Sequence, residues 1–394
     1  MSKANFWLTA CAALLLVFGV FGQSTASANP TLTGPQHGKK VVMYYPDWTN
    51  YDVNAFAAAY ANKITHILYA FLNLDVNGNC LAPAKPAFAT QLAALKTTYP
   101  HLKLAFSVGG WTWSDHFSTV ARDVNKRQTM VNTCLALMRQ YNFDGIDIDW
   151  EYPVQMGEAG NSTDPADGEN FVTLLTEFRQ QMYAGEELSV ASPASEYFFK
   201  HYKLAEMATQ LDFINLMAYA FSGAWERQTN HDGNLFVSAG VNSNLSTDYA
   251  VQTYHFGSIS TAGGIPFDKI VLGISFWGAL WSNVPAGTTN GLRQPSVTMA
   301  SVTQDTLAAN WSTYQFTEYW DEAAQAAYAY NPNTQKWLSY EEQQSLCAKA
   351  RYINANNLGG VMAWDVSADR DATLLGLFET CLVQKSLFLP ILFR

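Results

Sequence analysis

The stretch FDGIDIDWEYP, residues 143–153, sets four acids among apolar residues that otherwise read as a buried β-strand. In a strand, side chains at i, i+2 and i+4 share one face. Asp147, Asp149 and Glu151 therefore point one way, while Ile146, Ile148 and Trp150 point the other. Asp144 has the opposite parity to the three acids and is expected to be structural. Three carboxylates crowded in a partly desolvated place cannot all ionise cheaply, because burial and like charge both raise carboxyl pKa values. At least one is expected to keep its proton near neutral pH and so to serve as a general acid. An idle buried cluster would only destabilise the fold. A cation site is the competing use, since carboxylates suit Mg²⁺ or Ca²⁺. The calcium-loop spacing is absent, no His accompanies the cluster, and one strand rarely encloses a cation alone. Neither a metal nor a cofactor is expected.

Around this segment the chain alternates strand-like and helix-like stretches. Apolar runs at 40–45, 65–74, 102–110, 145–150, 188–193, 211–219, 269–277 and 359–366 supply eight strand candidates. Helical spacing appears at 53–61, 87–99, 125–141 and 168–183. Regular β–α alternation over more than ~250 residues favours an α/β fold of the closed parallel type, a TIM (β/α)8 barrel. A doubly wound open sheet would normally carry a glycine-rich phosphate loop after its first strand. YYPDWTN, residues 44–50, is not such a loop. The barrel is expected over 39–382. An overlong stretch between strands seven and eight, about 281–340, contains STYQFTEYW, AAYAYN and QKWLSY. These read as short strands of a small α+β insertion on the rim. Barrel enzymes place their sites at the C-terminal ends of the strands, which is where the three acids fall.

The ends of the chain read differently. Residues 1–28 have an early Lys, an apolar run and Ala26 and Ala28 in the small-x-small pattern of a signal-peptidase site. Cleavage after Ala28 and a secreted product are expected. No later apolar run approaches the roughly 20 residues of a membrane span. The apolar tail 383–394 contains Pro390 and has no functional reading. A net charge of −10 without a basic run makes nucleic acid a poor partner. A neutral substrate fits better, and a monomer is expected. Charged residues make up only 14% of the chain and aromatics another 14%, which argues against disorder and suits a site that stacks on flat ligand faces. Cys80, Cys134, Cys347 and Cys381 permit three pairings into two disulfides in an oxidising compartment, or buried free thiols. Asn-x-Ser/Thr sequons begin at Asn161, Asn244 and Asn310.

Four motifs in register then resemble one family. DGIDIDWE matches the D-x-x-D-x-D-x-E signature of family 18 glycoside hydrolases, the chitinases. SVGG at 107–110, NLMAY at 215–219 and GGVMAWDVSAD at 359–369 match its third, sixth and eighth strands. The resemblance covers about 39–382 and is greatest to fungal and bacterial chitinases that carry the α+β insertion. It implies chitin or chito-oligosaccharides as the partner. It makes Glu151 the acid that protonates the glycosidic oxygen. Asp149 would orient the substrate's acetamido group, whose own carbonyl is the nucleophile, and Asp147 would share a proton with Asp149. Tyr219 would hold the acetamido oxygen in a pocket lined by Met217. Trp364 would floor the reacting sugar, Trp111 and Trp225 would line the leaving-group side, and Tyr152 would belong to the binding set. Tyr44 and Ser107 would support the inner aspartates, with Gly109 and Gly110 completing that support.

Two positions depart from the family pattern. Ala220 stands where an Asp is usual, and Ala279 where an Arg is usual. Each lost polar contact could cost about 1–3 kcal/mol if it acted on a desolvated group. A chitin-binding lectin is the alternative, but Glu151 is retained. An endo-β-N-acetylglucosaminidase or a peptidoglycan-active enzyme is a third reading, and such relatives generally lack the insertion.

Overall fold

The computed structural model describes residues 34–383 except 242 and 297. The proposed signal peptide and all but the first residue of the proposed tail lie outside the described residues. Eight parallel strands close into a barrel: β1 (Lys40–Pro46), β2 (His66–Leu72), β3 (Lys103–Gly109), β4 (Gly145–Asp149), β5 (Glu187–Pro193), β6 (Phe213–Met217), β7 (Ile270–Ser275) and, after an insertion, β13 (Gly360–Trp364). Their order around the barrel is β1-β13-β7-β6-β5-β4-β3-β2, so β13 pairs with β1 and β7 and closes the ring. Each strand candidate read from the sequence forms a barrel strand. Among the described residues the fold is the (β/α)8 barrel that the β–α alternation implied.

Alternation sorts the barrel residues into two layers. Ile146, Ile148 and Trp150 join the large apolar layer between strands and helices, together with Val41, Ile67, Val190 and Ile274. The opposite parity builds the barrel interior, where Val42, Tyr44, Leu68, Phe213, Val271 and Met362 pack together. Residues on both faces of a parallel sheet are therefore buried, and such strands read as nearly unbroken hydrophobic runs. The helices obey local rules. Asp52 and Asp123 each accept two backbone N–H groups at the starts of helices Val53–Tyr60 and Val124–Gln140, satisfying donors that would otherwise be orphaned. Asp144 accepts from Lys96 Nζ at 2.9 Å and from Leu104 N at 2.9 Å. It fastens the entrance of β4 to the helix Pro86–Thr98 and to β3, away from the interior.

Between β7 and β13 lies an antiparallel five-stranded sheet: β8 (Trp277–Ser282), β9 (Thr298–Thr303), β10 (Thr317–Asp321), β11 (Ala326–Asn331) and β12 (Lys336–Tyr340), in the order β10-β11-β12-β8-β9. The helix Gln304–Tyr314 lies within this stretch. Hydropathy ran the seventh barrel strand through 277 and began the extra region at 281. Instead the chain leaves the barrel at Phe276, whose N–H donates to Trp364 O at 3.0 Å, and Trp277 opens β8. The apolar run simply continues across the two sheets, so composition could not mark the join. Ala279 is fully buried in the apolar layer of this sheet with Trp281, Tyr330 and Trp337. The position where an Arg is usual is thus filled by a buried methyl group.

Two disulfides, Cys80–Cys134 and Cys347–Cys381, both with Cα atoms 5.1 Å apart, select one of the three pairings. The first ties the segment after β2 to the helix Val124–Gln140, and the second joins the helices Gln343–Ala355 and Thr373–Val383. Asn161, the first sequon, is buried and donates through Nδ2 to Glu151 O at 3.1 Å, so its amide is turned inward. Removing the first crosslink by Cys80→Ala with Cys134→Ala is expected to lower stability by up to about 4 kcal/mol, the loop-closure value for its 54-residue separation. Denaturant unfolding midpoints of the two proteins check this.

Candidate active site

Parallel register builds the site before any ligand enters. Asp147 on β4 lies directly between Ser107 of β3 and Ser189 of β5. Ser107 Oγ donates to Asp147 Oδ2 at 2.7 Å and Tyr44 Oη donates to the same atom at 2.9 Å. Ser189 Oγ at 2.6 Å and Asn215 Nδ2 at 3.2 Å donate to Oδ1. Burial pushes the Asp147 carboxyl above its usual range, while these four donors pull it back. Donors from four strands thus act as the solvation shell of this carboxyl within the barrel.

Asp149 is two residues further along the same face and 4% exposed. Burial, then the charges of Glu151 and Asp147, push its carboxyl well above the usual range. Its Oδ1 is buried and has no hydrogen-bond partner among the described residues. Glu151 follows the end of the strand and is 9% exposed. Burial pushes its carboxyl up to about 7, against the opposing effect of the Tyr152 hydroxyl. The three acids thus differ in their surroundings: Asp147 meets four donors, whereas burial raises Asp149 and Glu151 with little to oppose it. As a pair, Asp149 and Glu151 titrate together and hold at least one proton near neutral pH.

The loop carrying Glu151 is held by the segment after β3. Gly110 N donates to Asp149 O at 2.8 Å, and Glu151 N donates to Ser114 Oγ at 2.9 Å. Gly109 has φ +108°, and a Cβ there would stand 2.3 Å from Asp149 O. Gly110, with φ +79°, would meet the Phe71 ring at 2.7 Å. Only glycine lets the two backbones approach this closely. Across the barrel, Tyr219 follows β6. Burial and the nearby charges of Asp149 and Glu151 push its hydroxyl well above the usual range, so it remains a donor. A side chain at Gly273 would press on the Tyr219 ring at 3.0 Å.

These groups open into a cleft of about 1220 Å³. Six of the twelve tryptophans line it: Trp48, Trp111, Trp113, Trp225, Trp277 and Trp364. Trp364 stacks on Phe71 with centroids 5.5 Å apart and tilts against Tyr44 at 5.3 Å. Trp111 and Trp225 are 49% and 68% exposed, which leaves their indole faces free. Met217 and Tyr152 also line the cleft. Tyr44 reaches it too, but its hydroxyl is committed to Asp147. Of the other ionisable groups on the wall, Asp47 accepts from Tyr69 Oη at 2.5 Å and Lys85 donates to Asp47 O at 2.9 Å. No group of three or more His, Cys, Asp or Glu able to hold a metal occurs among the described residues.

The structure therefore brings Glu151, Asp149, Tyr219, Trp364, Trp111, Trp225, Met217, Tyr44, Tyr152 and Gly109 to one cleft, with Asp147, Ser107 and Gly110 behind them. Asp144 lies outside it. Sequence reasoning did not single out Ser114, Ser189, Asn215, Trp48, Phe71 or Trp277. Ser189 and Asn215 carry a findable signal, since each is a polar residue of inward parity within a run otherwise fit for a barrel strand.

Residues 40–369 match the family described as Glycosyl hydrolases family 18. The chain is similar to Chitinase A1 of Niallia circulans, at 32% identity over 85% of this chain and 57% of that protein. It is also similar to Endochitinase 1 of Metarhizium robertsii, at 32% identity over 87% of this chain and 85% of that protein. Among solved structures, Chitinase ChiA74 from Bacillus thuringiensis superposes with a TM-score of 0.80 at 28% identity, covering 88% of this chain and 70% of that one. The chain belongs to glycoside hydrolase family 18. It spans little more than half the length of the first of these relatives.

Raised acids leave a signature in stability. Glu151 binds its proton more tightly in the folded chain than in the unfolded one, whose value is near 4.5. Between about 4.5 and about 7 the folded state holds a proton that the unfolded state has lost, so this group's contribution makes stability fall as pH rises. Asp149 shifts in the same direction. Glu151→Gln is expected to flatten the decline across that window by up to about 1.4 kcal/mol per pH unit. Unfolding free energies of the two proteins between pH 5 and pH 8 check this.

Proposed function

We propose that the chain is a secreted chitinase that hydrolyses β-1,4-linked N-acetylglucosamine polymers with retention, using the substrate's own acetamido group as nucleophile. The observation that carries the reading is the buried Asp149 Oδ1, which no group among the described residues satisfies. An unpartnered buried acceptor is costly, and an acetamido N–H entering the cleft would satisfy it. Glu151 donates its proton to the glycosidic oxygen as the C–O bond breaks. The acetamido carbonyl oxygen, oriented by Asp149 and held by the Tyr219 hydroxyl, forms the new bond to the anomeric carbon. The leaving sugar departs over Trp111 and Trp225. The positive charge of the oxazolinium ion falls beside Asp149, with Asp147 behind it. Glu151, now a base, takes a proton from water, whose oxygen opens the ring from the face the leaving group vacated.

Substrate assistance is supported by the fate of the remaining wall carboxylate, since Asp47 is occupied by Tyr69. A long polymer is supported by the cleft volume and its exposed indoles, which suit the C–H faces of successive sugars. Export is supported by the two disulfides, and no helix of the described residues is long and apolar enough to cross a membrane.

Glu151→Gln is expected to abolish turnover of chitohexaose while its affinity, by calorimetry, stays within a few-fold. Retained hydrolysis would defeat the acid assignment, and binding without turnover by the unaltered chain would favour the lectin. Because Glu151 must carry its proton, the alkaline limb of kcat/KM is expected near pH 7. A thiazoline analogue of the oxazolinium ion is expected to inhibit strongly; indifference to it would rule out acetamido participation. Release of glycans from a high-mannose glycopeptide in preference to chitin would move the assignment to an endo-β-N-acetylglucosaminidase.

A further inference from the structure

The turn after Tyr219 contains a backbone oddity. Ala220 has φ +54°, a left-handed conformation that costs an L-residue on the order of 1 kcal/mol or more. Something must hold it. Asp232, in the loop between β6 and β7, meets this turn from behind. Phe221 N donates to Asp232 O at 2.9 Å. The Asp232 carboxyl shares a small cavity with Ser275 at the end of β7, and the Ala220 N–H and the Ser275 hydroxyl oppose the rise that burial imposes on it. Its own N–H donates to Ser339 Oγ on β12 at 3.0 Å. One residue thus touches the turn behind Tyr219, the barrel strand beside it and the inserted sheet.

Asp232 is 4% exposed, and its Oδ2 is buried without a partner among the described residues. That residue lines a cavity of about 10 Å³ with Ser275, Trp277, Ser339 and Glu341, room for a single water. Trp277 on its wall also packs edge-on against the Tyr219 ring, with centroids 5.2 Å apart. The charged groups around it are Glu341, which leads into the helix Gln343–Ala355, and Lys349 on that helix, which pairs with Glu341. Next along the loop, His231 meets Asp321 of β10 at 3.2 Å and anchors the segment to the inserted sheet. Burial pushes the Asp232 carboxyl up to about 7, so it can present either a carboxylate or a carboxylic acid to the turn.

We propose that Asp232 is a positioning residue for Tyr219, tying the turn after β6 to β7 and to the inserted sheet so that the Tyr219 hydroxyl is aimed into the cleft. The inference rests on the reading of Tyr219 as the holder of the acetamido oxygen. It gives the inserted sheet a part in catalysis besides wall-building, because Ser339 and Trp277 act on the turn from that side.

The test is a double-mutant cycle with chitohexaose as substrate. Asp232→Ala is expected to lower kcat about tenfold or more, with KM changed less than about threefold because the distant indoles are untouched. Asp232→Asn, which keeps an acceptor for Ala220 N–H, is expected to recover most of the loss. In a Tyr219→Phe background the same Asp232→Ala change is expected to cost less than about threefold, since a hydroxyl that is absent cannot be misaimed. An unchanged kcat in Asp232→Ala, or an equal loss in both backgrounds, overturns the proposal. If circular dichroism shows Asp232→Ala to be unfolded, Ser275→Ala replaces it in the cycle. Additivity of Ser275→Ala with Tyr219→Phe would then overturn the proposal, and loss of its effect in the Tyr219→Phe background would support it. An inactive unaltered chain defeats the chitinase reading itself, and this inference with it.

Discussion

Burying Asp147 in the middle of a closed barrel is the constraint on which the site depends. A carboxylate moved from water into an apolar interior pays several kcal/mol even after the protein relaxes. Four donors from four different strands offset that cost: Tyr44 of β1, Ser107 of β3, Ser189 of β5 and Asn215 of β6. Only a ring of strands can surround one side chain with donors in this way. The barrel therefore supplies the acid's solvation shell, and the acid in turn fixes the polar residues that the barrel must carry at that level.

The outer two acids inherit their properties from that arrangement. The donors are spent on Asp147, so Asp149 retains a bare oxygen and the Asp149–Glu151 pair retains a proton. Burial raises both, and the neighbouring charges of Glu151 and Asp147 raise Asp149 further. The close backbone contacts at Gly109 and Gly110 then settle where the strand end and its loop lie relative to Phe71 and Trp364. The chemistry at the mouth is thus a consequence of how polar groups are shared out beneath it.

Much of this was legible in the chain, and the reasons differ by residue. Inward parity of Asp147, Asp149 and Glu151 follows from a period of two, which survives any detail of packing. Ser114 and Trp48 were not legible, since a serine or a tryptophan in a loop carries no periodicity. Asn161 shows the same limit from the other side. Its sequon is a surface signal in sequence, yet the side chain is folded under the Glu151 carbonyl. The join between β7 and β8 was invisible because the apolar run passes unbroken from barrel to inserted sheet. Ala279 lies in that sheet's own apolar layer, with Trp281 and Trp337.

By itself the sequence determined the barrel, the face on which the acids stand and the aromatic character of the groove, because strand alternation and βα repetition are local properties. Tertiary structure alone decided which serines solvate Asp147, which cysteines pair, that the outer two acids share a proton and that Asp232 braces the turn behind Tyr219. Those outcomes depend on groups dozens of residues apart meeting in one low-dielectric space, where distance and burial, neither of them written in any single segment, set the energies.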